Sequence, residues 1–409
     1  MKSVFKLSFL LLFIFLSLSL AEVSLSILYV RDPSLKGLTP EEINLMIEEA
    51  RLMMLKKFGV KDIKFINKKE MTVKDFFNSF LSLNEEMESR YIPYTSLNWK
   101  PYESEILSFI KQWKIWDLEK FFPEKKGTLK TYEQIVPELM SVYEKRLKRL
   151  EEIKYENGTS LIPKDDLTCS YLAWKNAMFS QDICDVVISD SLIVYDDIKH
   201  PYPHAVTRFA KVGGGSFESP KRPDFCGFSA MVNLFETMTE LTEFRSPRLS
   251  RPFTLEERAK ILGGYILAHE LGHMIYLIPD VYDHEKGCLM DSSAETLDYF
   301  QGYQELIKYD HPCSVCQAWV IPRNYHFEGD RKFKEKDYAG AAEDYKMCIK
   351  LTPKDLDVDY NSYISSVCVK AGRAYLNSNN KEKAKFYLLK AIQHNPENKD
   401  AQKFLEELK

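Results

Sequence analysis

The 409-residue sequence lacks a strong net charge, a phosphate-binding glycine loop and a long apolar run beyond its first 22 residues. Its formal charge is only −4, so it offers no basic surface of the kind that nucleic acid recognition requires. The glycines Gly213 to Gly215 lack the GxGxxG spacing and a following helix, which argues against a dinucleotide site. Nucleic acid and dinucleotide partners are therefore not expected.

The N-terminal segment has the pattern of a secretory signal peptide. Lys2 and Lys6 flank the start of an apolar run that ends at Ala21, just before Glu22. No cysteine follows the run, which argues against a bacterial lipoprotein, and an uncleaved membrane anchor is the alternative. We predict residues 1–21 as a signal peptide, a secreted or periplasmic location, and no stable membrane span after cleavage.

The next part of the chain predicts a mixed α+β domain. Residues 24–30 and 61–67 have the composition of short strands, and the residues between them have helical periodicity. Thr39 and Glu42 have the spacing of a capping box at the start of that helix. A strand, a helix and a strand in this order are typical of a mixed sheet. Residues from about 70 to 165 have helical spacing and predict a helical insertion.

The C-terminal part of the chain carries an internal repeat. Gly329 aligns with Gly372, and Ala341 aligns with Ala384. This pattern of small, aromatic and proline residues resembles the tetratricopeptide repeat, a stacked helix pair. The copies are further apart than the family's usual period of about 34 residues, which predicts an extended helix or a longer loop before the second copy. The resemblance implies an all-α module over residues 324–409 that docks a protein partner or braces its neighbour.

A metal-binding motif, HELGH, lies near the middle of the chain. Thr254 and Glu257 have capping-box spacing and predict the start of the helix that carries it. His269 and His273 are four residues apart, so on a helix they project from one face and can bind one zinc ion. Glu270 lies beside the first histidine, where it can accept a proton from a water that zinc activates.

HELGH followed by CLMD resembles the metzincin clan of zinc metalloproteases. In that family a methionine turn underlies the metal, and Met290 is the candidate for this role. Residues 204–214 resemble the edge strand that lines the substrate cleft in those enzymes. The resemblance implies a metzincin-like domain over residues 22–320, with a mixed sheet and an HExxH active-site helix. It also implies cleavage of a peptide or protein substrate, with Zn2+ as cofactor and Glu270 as general base.

The chain departs from the metzincin pattern HExxHxxGxxH at the third ligand. Tyr276 and Pro279 stand where that family has glycine and histidine, so the third ligand must come from further along. His284 is our predicted ligand, because imidazole is a common zinc ligand. Asp280 is the alternative, since its context resembles metzincin-like proteases that use aspartate. Glu295 is a further alternative, because it resembles the glutamate that gluzincin proteases supply from a second helix.

Three of the eight cysteines form a separate group. Cys288, Cys313 and Cys316 resemble the archaemetzincin arrangement, in which four cysteines hold a second, structural zinc. One of those four is absent, and a nearby histidine, His284 or His311, could replace it. If His284 serves this second site, Asp280 is left as the third ligand of the catalytic zinc. A disulfide within the group is the preferred alternative, because an exported chain meets an oxidising environment.

Two functions from different classes are compatible with these features. The first is an exported zinc metallopeptidase, most simply a metalloendopeptidase. The second is an exported repeat scaffold whose zinc site is structural. The intact Glu270 argues against the scaffold, because a purely structural site has no use for that carboxylate.

Overall fold

In the computed structural model of the protein, an α+β part precedes a stack of helix pairs. The predicted signal peptide lies outside the described residues. Within the described ranges, no helix is both long and apolar enough to cross a membrane. The structure describes residues 23–35, 37–60, 63–81, 97–112, 122–125, 127–155, 158–162, 167–180, 184–207, 214–218, 228–233, 254, 256–279, 284–285, 288–291, 311–356 and 359–408.

A five-stranded sheet lies at the centre of the α+β part, in the spatial order β2-β1-β3-β5-β4. β1 pairs in parallel with β2 and β3, and β3 pairs in parallel with β5. β4 pairs antiparallel with β5 and forms one edge. The prediction of a mixed α+β fold is confirmed. The strands are β1 (Val23–Arg31), β2 (Ile63–Thr72), β3 (Val186–Ser189), β4 (Gly214–Glu218) and β5 (Phe228–Asn233).

Strand β1 separates two apolar layers, because side chains alternate between the faces of a strand. Leu25 and Ile27 belong to one buried cluster, which also includes the HELGH helix. Leu28 and Val30 belong to a second cluster, which is built from the helices between β2 and β3. The sheet is therefore covered on both faces, and the HELGH helix lies on one of them.

Six α-helices are described in the part of the chain before β4. The first of them begins with the predicted capping box: Glu42 N donates to Thr39 Oγ1 at 3.2 Å, and Thr39 N donates to Glu42 Oε2 at 2.8 Å. Four of them lie between β2 and β3, and the first three of these fall in the region predicted as a helical insertion. They are α1 (Pro40–Phe58), α2 (Val73–Leu81), α3 (Glu103–Gln112), α4 (Tyr132–Glu152), α5 (Tyr171–Ser180) and α6 (Pro203–Thr207).

Helix α6 corrects one prediction from the sequence. Residues 204–214 were predicted as the edge strand, but the described start of this segment is helical, and the edge strand is β4. Pro203 is the first residue of α6, a position where proline loses no hydrogen bond and its fixed φ suits a helix. The strand therefore begins later in the chain than the sequence pattern indicated.

Helix α7, Gly264–Tyr276, carries the HELGH motif and continues from a π-helical stretch, Glu257–Gly263. The predicted capping box is present, since Thr254 N donates to the Glu257 carboxylate at 2.7 Å and Glu257 N donates to Thr254 Oγ1 at 3.2 Å. The helix ends at Leu277, whose backbone is left-handed with φ 58°. Its start and end are thus defined by local hydrogen bonding and backbone geometry.

The C-terminal helices form two stacked pairs and a final helix. Each aligned glycine of the repeat lets the partner helix approach: a Cβ on Gly329 would overlap Tyr345, and one on Gly372 would overlap Leu388. The connection from α9 to α10 is longer than those within the pairs, which accounts for the long repeat period. These helices are α8 (Ser314–Lys334), α9 (Tyr338–Leu351), α10 (Tyr360–Asn377), α11 (Lys381–His394) and α12 (Lys399–Glu407).

The first helix of the repeats also belongs to the α+β part. Helix α8 runs without interruption through residues 320–324, where the sequence predicted the boundary between the two parts. Trp319, Val320 and Phe327 of this helix lie in the same buried cluster as the HELGH helix and the later repeat helices. The predicted boundary therefore falls inside a helix whose apolar side chains serve both parts.

Candidate functional site

The two histidines of HELGH lie one turn apart on α7, and their Nε2 atoms are 3.1 Å apart. His269 Nδ1 donates to the Leu289 carbonyl oxygen at 2.8 Å, and His273 Nδ1 donates to the Ile278 carbonyl oxygen. Because Nδ1 carries the proton in this tautomer, each Nε2 presents a lone pair toward the other. Two lone pairs that face each other are stabilised by a cation between them.

The separation of the two nitrogens fits a tetrahedral metal ion. Two imidazole nitrogens bound to zinc at about 2.1 Å lie about 3.4 Å apart. A ligand histidine usually donates its other N–H to a carbonyl or carboxylate oxygen, which fixes its tautomer and its ring orientation. His269 and His273 both do so, and they therefore meet the requirements of two metal ligands.

Glu270 lies between the two histidines in sequence and against the edge strand in space. Its side chain is 5% exposed. A Cβ built on Gly214 of β4 would overlap the Glu270 carboxylate. The strand can approach this closely because glycine has no side chain at that point. The carboxylate is therefore held beside the backbone of the sheet edge.

A turn around Leu289 lies beneath the HELGH helix. The Leu289 carbonyl oxygen accepts hydrogen bonds from His269 Nδ1 and from the Tyr265 hydroxyl, the latter at 2.7 Å. Met290 packs against Gly272, where a Cβ would overlap the methionine sulfur. The sequence pattern singled out Met290 but neither Gly272 nor Leu289. A glycine inside an otherwise regular helix was the signal that could have found Gly272.

A second group consists of His284, Cys288, Cys313 and Cys316, whose ligand atoms all lie within 4.8 Å of one another. His284 Nδ1 is 3.4 Å from Cys313 Sγ and 3.5 Å from Cys316 Sγ. Cys288 Sγ is 3.6 Å from Cys316 Sγ. Sulfur and nitrogen ligands of a tetrahedral zinc lie about 3.6 to 3.8 Å apart. The group therefore fits one metal ion with three sulfur ligands and one nitrogen ligand.

The three cysteines of this group are free thiols, so the preferred disulfide is not formed. Hydrogen bonds from Cys288 and Cys316 hold the pKa of Cys313 well below its usual value. The hydrogen bond with Cys313 raises the pKa of Cys288 to about 12, and the neighbouring thiols also raise the pKa of Cys316. One thiolate thus opposes ionisation of the others, and a metal ion would relieve that repulsion.

His284 belongs to the cysteine group, which corrects its predicted place as third ligand of the histidine pair. His311, the other histidine considered for this group, instead points its Nδ1 to the Pro312 carbonyl oxygen at 3.0 Å. Asp280 and Glu295 lie outside the described residues. The third ligand of the histidine pair therefore stays a prediction.

Local hydrogen bonds at the start of α8 position two of the thiols. Cys313 is the N-cap residue of the helix, and its Sγ accepts a hydrogen bond from Cys316 N at 3.4 Å. The Glu285 carboxylate accepts hydrogen bonds from Ser314, including one from its backbone N at 2.9 Å. The segment that carries His284 and the start of α8 are therefore joined next to the metal ligands.

Comparison with known proteins finds one tetratricopeptide repeat in the chain. The tetratricopeptide repeat family model matches residues 365–398, a range that covers most of α10 and all of α11. No curated protein sequence and no solved structure matches the chain. Repeats of this family indicate a protein-interaction role, so the match supports a protein partner for this part of the molecule.

Proposed function

We propose that the protein is an exported, zinc-dependent metallopeptidase with a metzincin-like fold. The observation that carries the proposal is the approach of His269 Nε2 and His273 Nε2 to 3.1 Å on a helix that also holds Glu270 against the sheet edge. An antiparallel edge strand and a methionine packed under the same helix support it.

The residues of the motif have separate roles in peptide hydrolysis. Bound zinc would polarise the scissile carbonyl and lower the pKa of a water molecule. Glu270 accepts the proton of the attacking water and returns it to the leaving amine. Burial against Gly214 restricts the Glu270 side chain, which keeps its oxygens in place for both transfers.

The edge strand β4 offers a surface for an extended peptide. It is the last strand in the order of the sheet, and among the described residues no strand pairs with its outer edge. An extended peptide can add to such an edge through main-chain hydrogen bonds. Because Gly214 of β4 lies beside Glu270, a peptide paired there would bring its backbone close to the proposed base.

The proposal assigns different ligands to two zinc ions. His269 and His273 hold the catalytic ion, with Asp280 as third ligand because His284 lies with the cysteines, and with Glu295 as the alternative. The cysteine group holds the second ion, which is structural because four protein ligands leave no open position for a substrate.

A repeat scaffold with structural metal sites is the second candidate function. The match of residues 365–398 to the tetratricopeptide repeat family favours it. In this case the repeats carry the function, and the HELGH helix contributes metal-dependent stability without turnover.

Replacement of Glu270 by glutamine tests the proposal. Glu270→Gln keeps the shape that packs against Gly214 but removes the proton acceptor. We expect an unchanged zinc content and a fall of about 10²- to 10⁴-fold in hydrolysis of an unfolded protein such as casein. Glu335→Gln, on the exposed end of α8, serves as the matched control and is expected to keep wild-type turnover.

Two outcomes would contradict this proposal. Wild-type turnover by Glu270→Gln would exclude Glu270 as the general base. A wild-type protein that contains zinc at both groups but cleaves neither casein nor a varied set of peptides would favour the scaffold.

A further inference from the structure

We propose that the cysteine group sets the metal affinity of the histidine pair through the three residues Cys288, Leu289 and Met290. This inference rests on the proposed function only in that both groups bind a metal ion. It makes no use of peptide hydrolysis. The two sites are thereby coupled, so that binding of a metal ion at one strengthens binding at the other.

These three consecutive residues contact both groups: the first lies in the cysteine group, and the next two contact the HELGH helix. Cys288 Sγ lies in the cysteine group, 3.7 Å from His284 Nδ1. The Leu289 carbonyl oxygen accepts the hydrogen bond from His269 Nδ1 at 2.8 Å. Met290 packs under Gly272 of the HELGH helix. Since neighbouring Cα atoms are fixed about 3.8 Å apart, a shift of Cys288 is passed on to Leu289, whose carbonyl orients His269.

A hydrogen bond within the segment strengthens this connection. Met290 N donates to Cys288 Sγ at 3.4 Å. A thiolate held by a metal ion accepts such a bond more strongly than a thiol does, because it carries negative charge. Closure of the cysteine group around a metal ion therefore fixes Cys288 and also stiffens the turn that contains Leu289 and Met290.

The orientation of His269 determines how well it binds a metal ion. Groups that hold the second nitrogen of a ligand histidine typically contribute a factor of about 10 to 100 in metal affinity. The Tyr265 hydroxyl, on the HELGH helix itself, also donates to the Leu289 carbonyl at 2.7 Å. This second hydrogen bond keeps the turn near the helix when the cysteine group is empty. Loss of the metal ion from the cysteine group therefore weakens metal binding by the histidine pair without abolishing it.

Cys316→Ser tests the coupling without a change in the connecting segment. Cys316 lies on α8, and its loss removes one ligand from the cysteine group. Cobalt titration separates the two sites, because cobalt bound to thiolates gives intense charge-transfer absorption and cobalt bound to histidines does not. Competition with a chromophoric chelator then gives the affinity of the histidine pair, which we expect to fall by about 10- to 100-fold.

A matched cysteine variant controls for general effects of the substitution. Cys368→Ser replaces a buried cysteine of α10 that lies outside the metal-binding group. We expect this variant to keep the cobalt affinity of both sites. A similar loss of affinity at the histidine pair in Cys368→Ser and Cys316→Ser would overturn the coupling.

The reciprocal measurement is independent of whether Cys316→Ser folds. Coupling between two binding sites must act equally in both directions. His273→Ala, which removes a ligand of the histidine pair, is therefore expected to weaken cobalt binding at the cysteine group by the same factor, relative to wild-type protein whose histidine pair is filled with metal. Unchanged affinity at the cysteine group would overturn the coupling but leave the proposed function standing. A wild-type protein whose histidine pair binds neither zinc nor cobalt would overturn both.

Discussion

The two candidate metal sites differ in how the chain builds them. His269, Glu270 and His273 come from a single helix, so the helical period is sufficient to bring the two histidines together. The cysteine group takes His284 and Cys288 from one segment and two further ligands from the start of α8, so it forms only when those segments pack together. From this difference we predict that the histidine pair determines peptide turnover and that the cysteine group determines the stability of the fold.

Helix α8 joins the cysteine group, the HELGH helix and the repeats. Beyond its two cysteine ligands, Arg323 Nε donates to the Ile275 carbonyl oxygen near the end of α7 at 2.8 Å. The Tyr276 hydroxyl of α7 donates to Asn324 Oδ1 at 3.2 Å. The first repeat helix therefore braces the helix that carries the metal motif. A partner bound to the repeats would contact the same continuous structure.

The largest effects are expected when one metal ligand is removed from each site, and they should differ between peptide turnover and thermal stability. His269→Ala should abolish peptide turnover, because it removes a ligand of the proposed catalytic ion, and should lower the thermal unfolding temperature less than Cys313→Ala does. Cys313→Ala should instead remove the metal ion of the cysteine group. With zinc at a thousandfold excess over its dissociation constant, this loss corresponds to about 4 kcal/mol.

Circular dichroism melts and casein turnover in zinc-containing buffer measure both effects. If Cys313→Ala melted at the wild-type temperature while its zinc content fell by one equivalent, the cysteine group would not be structural. The contrast between the two sites would then be lost.

An intermediate effect is expected at two helix-interior glycines. A Cβ on Gly272 would overlap Met290, and a Cβ on Gly372 would overlap Leu388. Both Gly272→Ala and Gly372→Ala should lower the free energy of unfolding by about 1 to 3 kcal/mol through overpacking. Only Gly272→Ala should also weaken metal binding by the histidine pair, because it displaces the turn that orients His269.

Urea unfolding and cobalt titration of the two alanine variants provide the measurement. Equal metal affinity in Gly272→Ala and Gly372→Ala would show that the position of Met290 does not affect the histidine pair.

The smallest expected effect lies at the connection between α7 and α8. Arg323→Lys keeps the buried positive charge but gives up the fixed geometry of the guanidinium group, which bonds Ile275 O and His326 Nδ1. The loss of one such hydrogen bond should cost about 1 kcal/mol of unfolding free energy. Arg51→Lys, at a half-exposed ion pair with Glu48 on α1, is the matched control and should change stability by less than about 0.5 kcal/mol. Equal urea midpoints for the two variants would argue against Arg323 as a brace.

Much of the local structure could be predicted from the sequence. The capping boxes at Thr39 and Thr254, the HELGH helix and the repeated helix pairs depend on contacts between residues close in the chain, and such contacts leave regular spacings. The prediction of a strand at residues 204–207 was wrong. Their resemblance to the metzincin edge strand predicted a strand, but Pro203 starts a short helix there and the edge strand follows it.

The sequence by itself singled out His269, Glu270 and His273 and the three thiols of the cysteine group, because these residues stand at spacings typical of metal ligands. It could not decide to which of the two metal sites His284 belongs. A side chain eleven residues beyond His273 is free to reach either group while the chain is unfolded. The packing of α8 against the end of the HELGH segment made that choice, since it brings Cys313 and Cys316 to His284 and thereby completes a set of four ligands. Tertiary structure also placed Gly214 beside Glu270 and Leu289 beneath His269, contacts between distant residues that leave no spacing to read.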